Sequence, residues 1–376
     1  MDFDLNEDTI LLKNSAERYL KEKCPSSFVK EIIKEDMGFS KTIWKEIAEL
    51  GWLGLTYDEK YGGTGSPFFD LFILFEEIGK VLLPSPFFCS AILSGLIINE
   101  AGDSNLKDEY LPLIIQGEKI FTIGLLNEQG RYDFDDPDLE AKETQDGGYI
   151  MNGTRILVPY AHIADAILVC AKINGSRGGA PTIFKIGSKA NGQKKVLLDT
   201  LTEEKSYAVI FEDVRLSSDS VIGALGEGAT YLNKILPKAI IIKCGEMLGG
   251  LQRVVDMTVA YMKERHQFGH PLGSLQVVQH YCADMATYLE STRLITYQAA
   301  FLLSEGIPCD KEIAMAKAWC SDSYKKCTWI GHQLHGGIGF TEEHDLHLYY
   351  KHAKESELAF GSSWFHRSKV AHVMGI

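Results

Sequence analysis

The spacing of apolar residues changes twice along this chain, and that change confines the fold more than any other feature. Up to about residue 115 the chain reads as helices. KTIWKEIAELGWLG after Ser40 has helical apolar spacing and is predicted to end at the glycine turn of Gly62 and Gly63. SPFFDLFILFEEIGKVLLP is a strongly apolar helix stopped by Pro84 and Pro86, and GDSNLKDEYLPLIIQGE is a further short helix. From about 116 to 225 the runs FTIGLL, GYIMNGTRILVP, DAILVCAKI, PTIFKI and SYAVIFEDVRL are rich in β-branched and aromatic residues, with Gly, Asn and Asp turns between them. No helical stretch separates these runs, which favours an antiparallel sheet or small barrel over a doubly wound α/β unit. Beyond about 226 come three long helical stretches. The first has Pro237 near its beginning, the second follows Ser274 as a possible N-cap, and the third ends at Gly336. The predicted class is α+β: a helical domain over 1–115, a β domain over 116–225 and a C-terminal helical bundle, of four-helix type, over 226–376.

At 376 residues the chain is too long for one simple core and calls for two or three packed units. A formal net charge of -13 argues against nucleic acid or an anionic membrane as the main partner. It leaves room for an anionic ligand held by local cations such as Arg265, Lys351 and Lys354. The start is acidic and amphipathic, without the basic and apolar regions of a secretion signal. The longest apolar run, Ala166 to Ala171, is far too short to span a bilayer, so no membrane insertion is expected. Eight scattered cysteines without a CxxC pair suit reduced thiols and a cytoplasmic protein.

Two glycine-containing turns, RHQFGHPLG at 265–273 and QLHGGIGFT at 333–341, flank the long helical stretches. A guanidinium such as that of Arg265 binds phosphate through directed, charge-assisted bonds; the plainer reading is a solvated arginine that ends a helix in favour of its dipole. Gly336 and Gly337 allow close backbone approach, and Gly336 also suits a helix C-cap; the two readings are compatible. A Rossmann site does not fit, because no strand precedes these glycines and no GxGxxG occurs. His332, His335, His344, His347 and His352 crowd the same region, yet without an HExxH arrangement, and no metal is expected. No Ser-His-Asp signature or nucleophile elbow points to hydrolysis.

Five strings carry a resemblance: GWLGLTYDEKYGGTG, YIMNGTRILVPYAHIADAILV, FEDVRLSSDSVIG with GEGA, RHQFGHPLGSLQ, and QLHGGIGFTEEHDLHLYYKHAK. In this order and spacing the chain resembles the acyl-CoA dehydrogenase family from end to end. The resemblance implies FAD, an acyl-CoA thioester substrate, electron-transfer flavoprotein as oxidant, and a homo- or hetero-tetramer of paired dimers. It places Arg265, with Gln267 and Phe268 beside it, at the FAD pyrophosphate of a neighbouring subunit. Gln333, Gly336 and Gly337 would lie against the adenosine half, and Gln276 and Ser362 are further cofactor positions it implies. His347 and Lys351 stand where many relatives carry arginine, as surface or interface cations. Leu83 to Ser90 would help line the acyl pocket, whose occupant (chain, ring or steroid) the sequence leaves open.

The chain also departs from the family. A flavin-contacting segment that usually reads TEPxAGSD is here Leu126-Asn127-Glu128-Gln129-Gly130-Arg131-Tyr132-Asp133, and the usual Trp-Ile-Thr is Leu157-Val158-Pro159. Proline removes an N–H, and loss of threonine removes a hydroxyl. Abstracting the proton α to a thioester needs a placed carboxylate. One family position for it holds Phe360 before Gly361, the other holds Ala239, and the substrate-holding arginine falls near Ile240. Glu246, about two helical turns beyond Ala239, is a weak candidate base. Glu357, one turn before Phe360, is another; both read first as exposed or paired helix glutamates. Three readings stay open: an FAD-dependent acyl-CoA dehydrogenase with a relocated base, acting alone or in a heteromer; a non-catalytic subunit that completes an FAD interface; and a flavin enzyme of different chemistry on the same fold.

Overall fold

The computed structural model describes residues 5–174 and 179–376. Six helices come first: α1 (Glu7–Lys23), α2 (Ser26–Ile32), α3 (Lys41–Glu49), α4 (Phe68–Val81), α5 (Gly95–Ala101) and α6 (Ser104–Ile115). Strands β1 (Phe121–Gly124), β2 (Glu140–Glu143), β3 (Tyr149–Pro159), β4 (Ala166–Asn174), β5 (Pro181–Gly187), β6 (Gln193–Leu197), β7 (Ser206–Leu216) and β8 (Val221–Ile222) follow. The chain then returns to helix in α7 (Gly228–Glu264), passes the hairpin β9 (His266–Gln267) and β10 (His270–Pro271), and ends in α8 (Gln276–Ser304), α9 (Asp310–His335), α10 (Leu346–Leu358) and α11 (Ser363–Val373). The expected α+β class holds. Two compact units result: one from Met1–Lys30, Pro67–Leu83 and Ile240–Ile376, the other from Glu31–Ser66 and Pro84–Ala239.

In the first unit α4 is buried from Asp70 to Gly79, as its mainly apolar sequence favours. Two glutamates lie within that buried stretch. Glu76 is held by Arg293 and by the Tyr297 hydroxyl, each at 2.6 Å, and Glu77 by Lys80 at 2.8 Å. Paired in this way, their burial is tolerable. Small residues bring α4 and α7 into backbone contact: a Cβ at Gly79 would overlap the Glu246 carbonyl, and one at Gly249 the Glu76 carbonyl. That crossing fixes where Glu246 stands.

In the second unit the sheet runs β6-β7-β3-β2-β4-β5-β8, with β1 also on β4. It is not wholly antiparallel as expected, because β1 and β2 both pair with β4 in parallel. They share one side of it, β1 at 166–169 and β2 at 172–174, which leaves β4 central and nearly continuously buried. Leu139, Met151, Val169, Phe184, Val209 and Phe211 belong to the core beneath.

Two local expectations are corrected. The helix after Ser40 is capped there, Ser40 accepting from the Ile43 N–H, but it stops at Glu49, where Gly51 takes φ +77°. The turn of Gly62 and Gly63 is a separate, later one, and Gly63 is required by contact, since a Cβ there would overlap the Tyr57 carbonyl. Ser274 does not cap α8: its hydroxyl donates back to the Pro271 carbonyl at 2.7 Å, and Leu275 precedes the helix without a side-chain cap. The eight cysteines are free. Among the described residues no helix is long and apolar enough to cross a membrane.

Candidate functional site

The first glycine-containing turn closes directly on the end of α7. The Arg265 N–H donates to the Tyr261 carbonyl and the Leu272 N–H to the Arg265 carbonyl, both at 2.8 Å, so the hairpin folds back on its own helix. Its two-residue tip is Phe268 (φ +55°) and Gly269 (φ +83°), both left-handed as in a type I′ turn. Phenylalanine gains nothing locally from that conformation and is 87% exposed. Arg265 and Gln267 are exposed, and the Arg265 guanidinium meets no carboxylate among the described residues. Gln276 is exposed as well, in the first turn of α8.

The second turn lies beside the first. α9 ends where Gly336 takes φ +64° and donates its N–H to the His332 carbonyl, so the glycine is a C-cap as its sequence suggested. A Cβ at Gly336 or Gly337 would meet nothing within 4 Å, and Gln333 is exposed beside them. The ring of His335 stacks on Tyr261 at 4.5 Å between centroids. Since Tyr261 stands one helical turn before Arg265, this contact brings the two turns to one end of the unit. The histidines do not converge as metal ligands among the described residues. They pack instead, His332 against Phe340 and Tyr350, and His335 against His344.

Phe360 stands elsewhere. Lys317, fully buried near the start of α9, donates to the carbonyls of Ser356, Glu357 and Gly361 at 2.9, 3.1 and 3.2 Å and to the Ser321 hydroxyl at 3.1 Å. Lys317 and His335 are separated by about 27 Å of helix at 1.5 Å per residue. Phe360 is buried with φ +57°, and His366 donates from Nε2 to its carbonyl at 3.0 Å. Burial, with Lys317 close by, pushes His366 down to about 4. Ser362 accepts from the Phe365 N–H and so caps α11.

Both candidate carboxylates are already engaged. Glu357 takes Lys325 at 2.7 Å and Lys354 at 2.9 Å. Glu246 takes Lys243 on one oxygen and His352 Nε2, at 3.2 Å, on the other, while His352 Nδ1 accepts from the Tyr324 hydroxyl. Burial alone would raise Glu246, but the Lys243 ammonium and His352 hold it well below the usual carboxylate range. The same opposition, burial against Lys325 and Lys354, leaves Glu357 lowered. A carboxylate so strongly stabilised as the anion is a poor proton acceptor. Ala239 and Ile240 are buried apolar residues with no acid–base chemistry.

In the second unit, β3 bulges between Arg155 and Val158, which leaves Leu157 at φ +50° and half exposed. The Pro159 carbonyl is taken by the Thr122 hydroxyl at 2.6 Å. The segment from Leu126 is ordered by buried Asn127, whose Oδ1 accepts from the Gln129 and Arg131 N–H groups. Pro84 and Pro86 lead into a π-helix, Phe88–Ser94, whose displaced carbonyls at Cys89 and Ala91 are met by the Ser94 and Tyr57 hydroxyls.

Sequence reasoning missed Lys317, His366 and Lys243. For Lys317 a signal existed: it lies on the apolar stripe of Ile313, Cys320 and Tyr324, where a lysine is out of place unless its ammonium has partners.

Known proteins share the sequence profile and the fold of this chain. The sequence profile of the acyl-CoA dehydrogenase N-terminal domain matches residues 6–118, and that of the C-terminal domain matches residues 226–375. The chain is 30% identical to the short/branched chain specific acyl-CoA dehydrogenase, mitochondrial, of Bos taurus, over 97% of this chain and 85% of that protein. It is 28% identical to the acryloyl-CoA reductase (NADH) of Anaerotignum propionicum over 99% and 95%. Among solved structures, a chain of the electron transferring flavoprotein structure of Acidaminococcus fermentans superposes with a TM-score of 0.92 at 28% identity, covering 100% of this chain and 99% of that one. Butyryl-CoA dehydrogenase of Megasphaera elsdenii shares the fold at a TM-score of 0.92, 24% identity and full coverage of both chains. This chain therefore belongs to the acyl-CoA dehydrogenase family of FAD-dependent oxidoreductases.

Proposed function

We propose that the chain works in a heteromeric FAD-dependent acyl-CoA dehydrogenase, where it completes an FAD site at an interface and leaves α-proton removal to a carboxylate of a related chain. The observation that carries this reading is the closed loop at Phe360: no carboxylate stands there, and Glu246 and Glu357 are neutralised by lysines.

The adenosine side fits FAD. Arg265 is exposed and without a carboxylate partner, as a pyrophosphate ligand needs to be, and the open space over Gly336 and Gly337 admits a close nucleotide. Gln267, Phe268, Gln276 and Gln333 offer exposed polar and aromatic contacts around them, with Ser362 near the closed loop. The ring side fits less well, since Leu157, Val158 and Pro159 present no side-chain donor. Both findings suit a chain that lends its turns to a site built mostly by another. Held by Arg265 and the Gly336–Gly337 turn, FAD would supply a hydride acceptor for the β carbon of a thioester. This chain's part is to bind and orient the cofactor.

Acyl-CoA as substrate class follows the names of the relatives, and electron-transfer flavoprotein as acceptor is supported by the Acidaminococcus neighbour. Assembly with a second chain is in keeping with a fold neighbour solved as the ChsE4-ChsE5 complex, and a heterotetramer is the form we propose for it. The free thiols suit a cytoplasmic setting. The test is expression alone and together with a related chain from the same source. The expected result is a colourless chain alone, with flavin retention and dye-linked acyl-CoA oxidation in the mixture. A chain that is yellow and oxidises acyl-CoA by itself overturns the reading in favour of a self-sufficient enzyme.

A further inference from the structure

The stacked histidines of the second turn are a titratable cluster for which the function above has no use. His335 is 5% exposed, and its Nδ1–H donates to the Gly331 carbonyl at 2.8 Å. That bond fixes the tautomer: Nε2 carries the lone pair, and it is buried with no hydrogen-bond partner among the described residues. The ring lies flat on Tyr261, at 17° between planes, and 4.6 Å from the ring of His344. The glycine turn leaves the helix at this residue and returns to its ring at His344, and on the way Gly339 lies against the His335 Cβ, which an added Cβ would approach to 3.0 Å. His344 needs its neutral form as well, because its Nδ1 accepts the Leu346 N–H at the start of α10.

Among the described residues, the charged or titratable groups that act on His335 are histidines and not carboxylates. Tyr261 faces His335 from α7, His332 from α9 and His344 from the segment before α10. Asp345, the carboxylate beside His344, is held by Lys30 at 2.8 Å, and the same ammonium takes the Glu342 and Glu343 carbonyls. On α10, His347 is flanked by Lys351, with Lys30 and Glu342 also acting on it, and Tyr350 packs on His332. A proton on Nε2 of His335 would thus create a buried N–H without an acceptor beside other cationic groups.

We propose that His335 is a positioning residue for the Gly336–Phe340 turn: its neutral imidazole holds the turn closed, and mild acid opens it and releases the nucleotide half of FAD. The release step rests on the assignment of that turn to FAD; the opening step does not. Burial pushes His335, His344 and His347 below the ordinary histidine value. The closed turn is therefore favoured above about pH 6.5 and loses that advantage as the pH falls. One histidine returning to its ordinary value on opening changes the opening equilibrium by up to about tenfold at about pH 5.5.

Hydrogen exchange on the flavin-free full chain tests this, comparing about pH 7.5 with about pH 5.5 after correction for intrinsic rates. Amides of 336–346 are expected to lose protection by up to tenfold in acid, while those of α4 hold theirs. His335→Phe keeps a ring for Tyr261, and His335→Gln keeps a donor for Gly331; neither titrates. Whichever of them folds is expected to show a clearly smaller acid loss in the turn than the wild type, the remainder belonging to His344. An unchanged wild-type turn, or the same acid loss in a folded variant, overturns the proposal. Flavin retention by the assembled protein separates the two assignments. Acid opening without flavin binding at neutral pH overturns the FAD assignment and leaves the role of His335 standing; flavin binding without acid opening does the reverse.

Discussion

At its C-terminal end α9 delivers the chain into Gly336, whose positive φ and empty surroundings leave the backbone open, with an unpaired arginine close by. Near its other end the same helix sends Lys317 into three carbonyls, and the two candidate bases, Glu246 and Glu357, are matched to lysines. Both regions contain a positive-φ residue that is not glycine, Phe268 in one and Phe360 in the other. Phe268 is exposed at a hairpin tip, while Phe360 is buried and clamped through its own carbonyl by His366. An open backbone at one end and a loop held by Lys317 and His366 at the other separate a surface suited to a ligand from one occupied by the chain's own side chains. This is why cofactor binding and proton abstraction are different questions in this chain.

The largest effect belongs to the closed end. Lys317→Met keeps a long side chain but removes the donor for three carbonyls. Buried unsatisfied acceptors cost about 1–3 kcal/mol each, so a loss of roughly 3 kcal/mol or more is expected in urea unfolding. The folded variant should hold flavin as the wild type does in the assembled protein. A shift below about 1 kcal/mol would mean that the carbonyls do not depend on this ammonium.

Arg265→Ala tests the open end, with the opposite signature. An exposed, unpaired side chain contributes little to folding, so stability should stay within about 0.5 kcal/mol. A hydrogen bond to a charged partner is worth about 1.5–3 kcal/mol, so flavin affinity in the assembled protein should fall by roughly ten- to a hundredfold. Unchanged flavin affinity would remove Arg265 from the site.

Legibility in the sequence follows the same division. The turns were visible because their signals are local: Gly336 directly after an apolar-periodic stretch, and Arg265 before a short hairpin with Gly269 at its tip. The closed end was half visible. The absence of a carboxylate at 360 can be read from the chain, but the clamp joins Lys317 to carbonyls some forty residues later, and no local pattern encodes such a contact. Likewise β2 was missed because Glu140–Glu143 is short and charged with one buried side chain, and its partner β4 lies beyond the intervening β3. Ser274 was misread because its hydroxyl had a competing acceptor in Pro271.

The smallest effect on turnover is expected at Glu246, where the comparison is most exposed to failure. Its carboxylate is held by Lys243 and His352, and the contact of α7 with α4 leaves the backbone little freedom. Glu246→Gln keeps the shape and loses the charge, so the charged contact with Lys243 is lost and stability should fall by roughly 1–3 kcal/mol at neutral pH. The sign with pH is fixed by the lowered carboxyl: its contribution is present above the unfolded value of about 4.3 and is lost as the pH falls below it. The variant's deficit should therefore shrink in acid. Acyl-CoA turnover by the assembled protein should stay within about twofold, because an anion held by the Lys243 ammonium and by a His352 hydrogen bond has little tendency to take a proton from carbon. A loss of turnover by orders of magnitude, with folding and flavin content unchanged, would make Glu246 the base. It would also show that lysine pairing in the resting protein is broken when substrate binds.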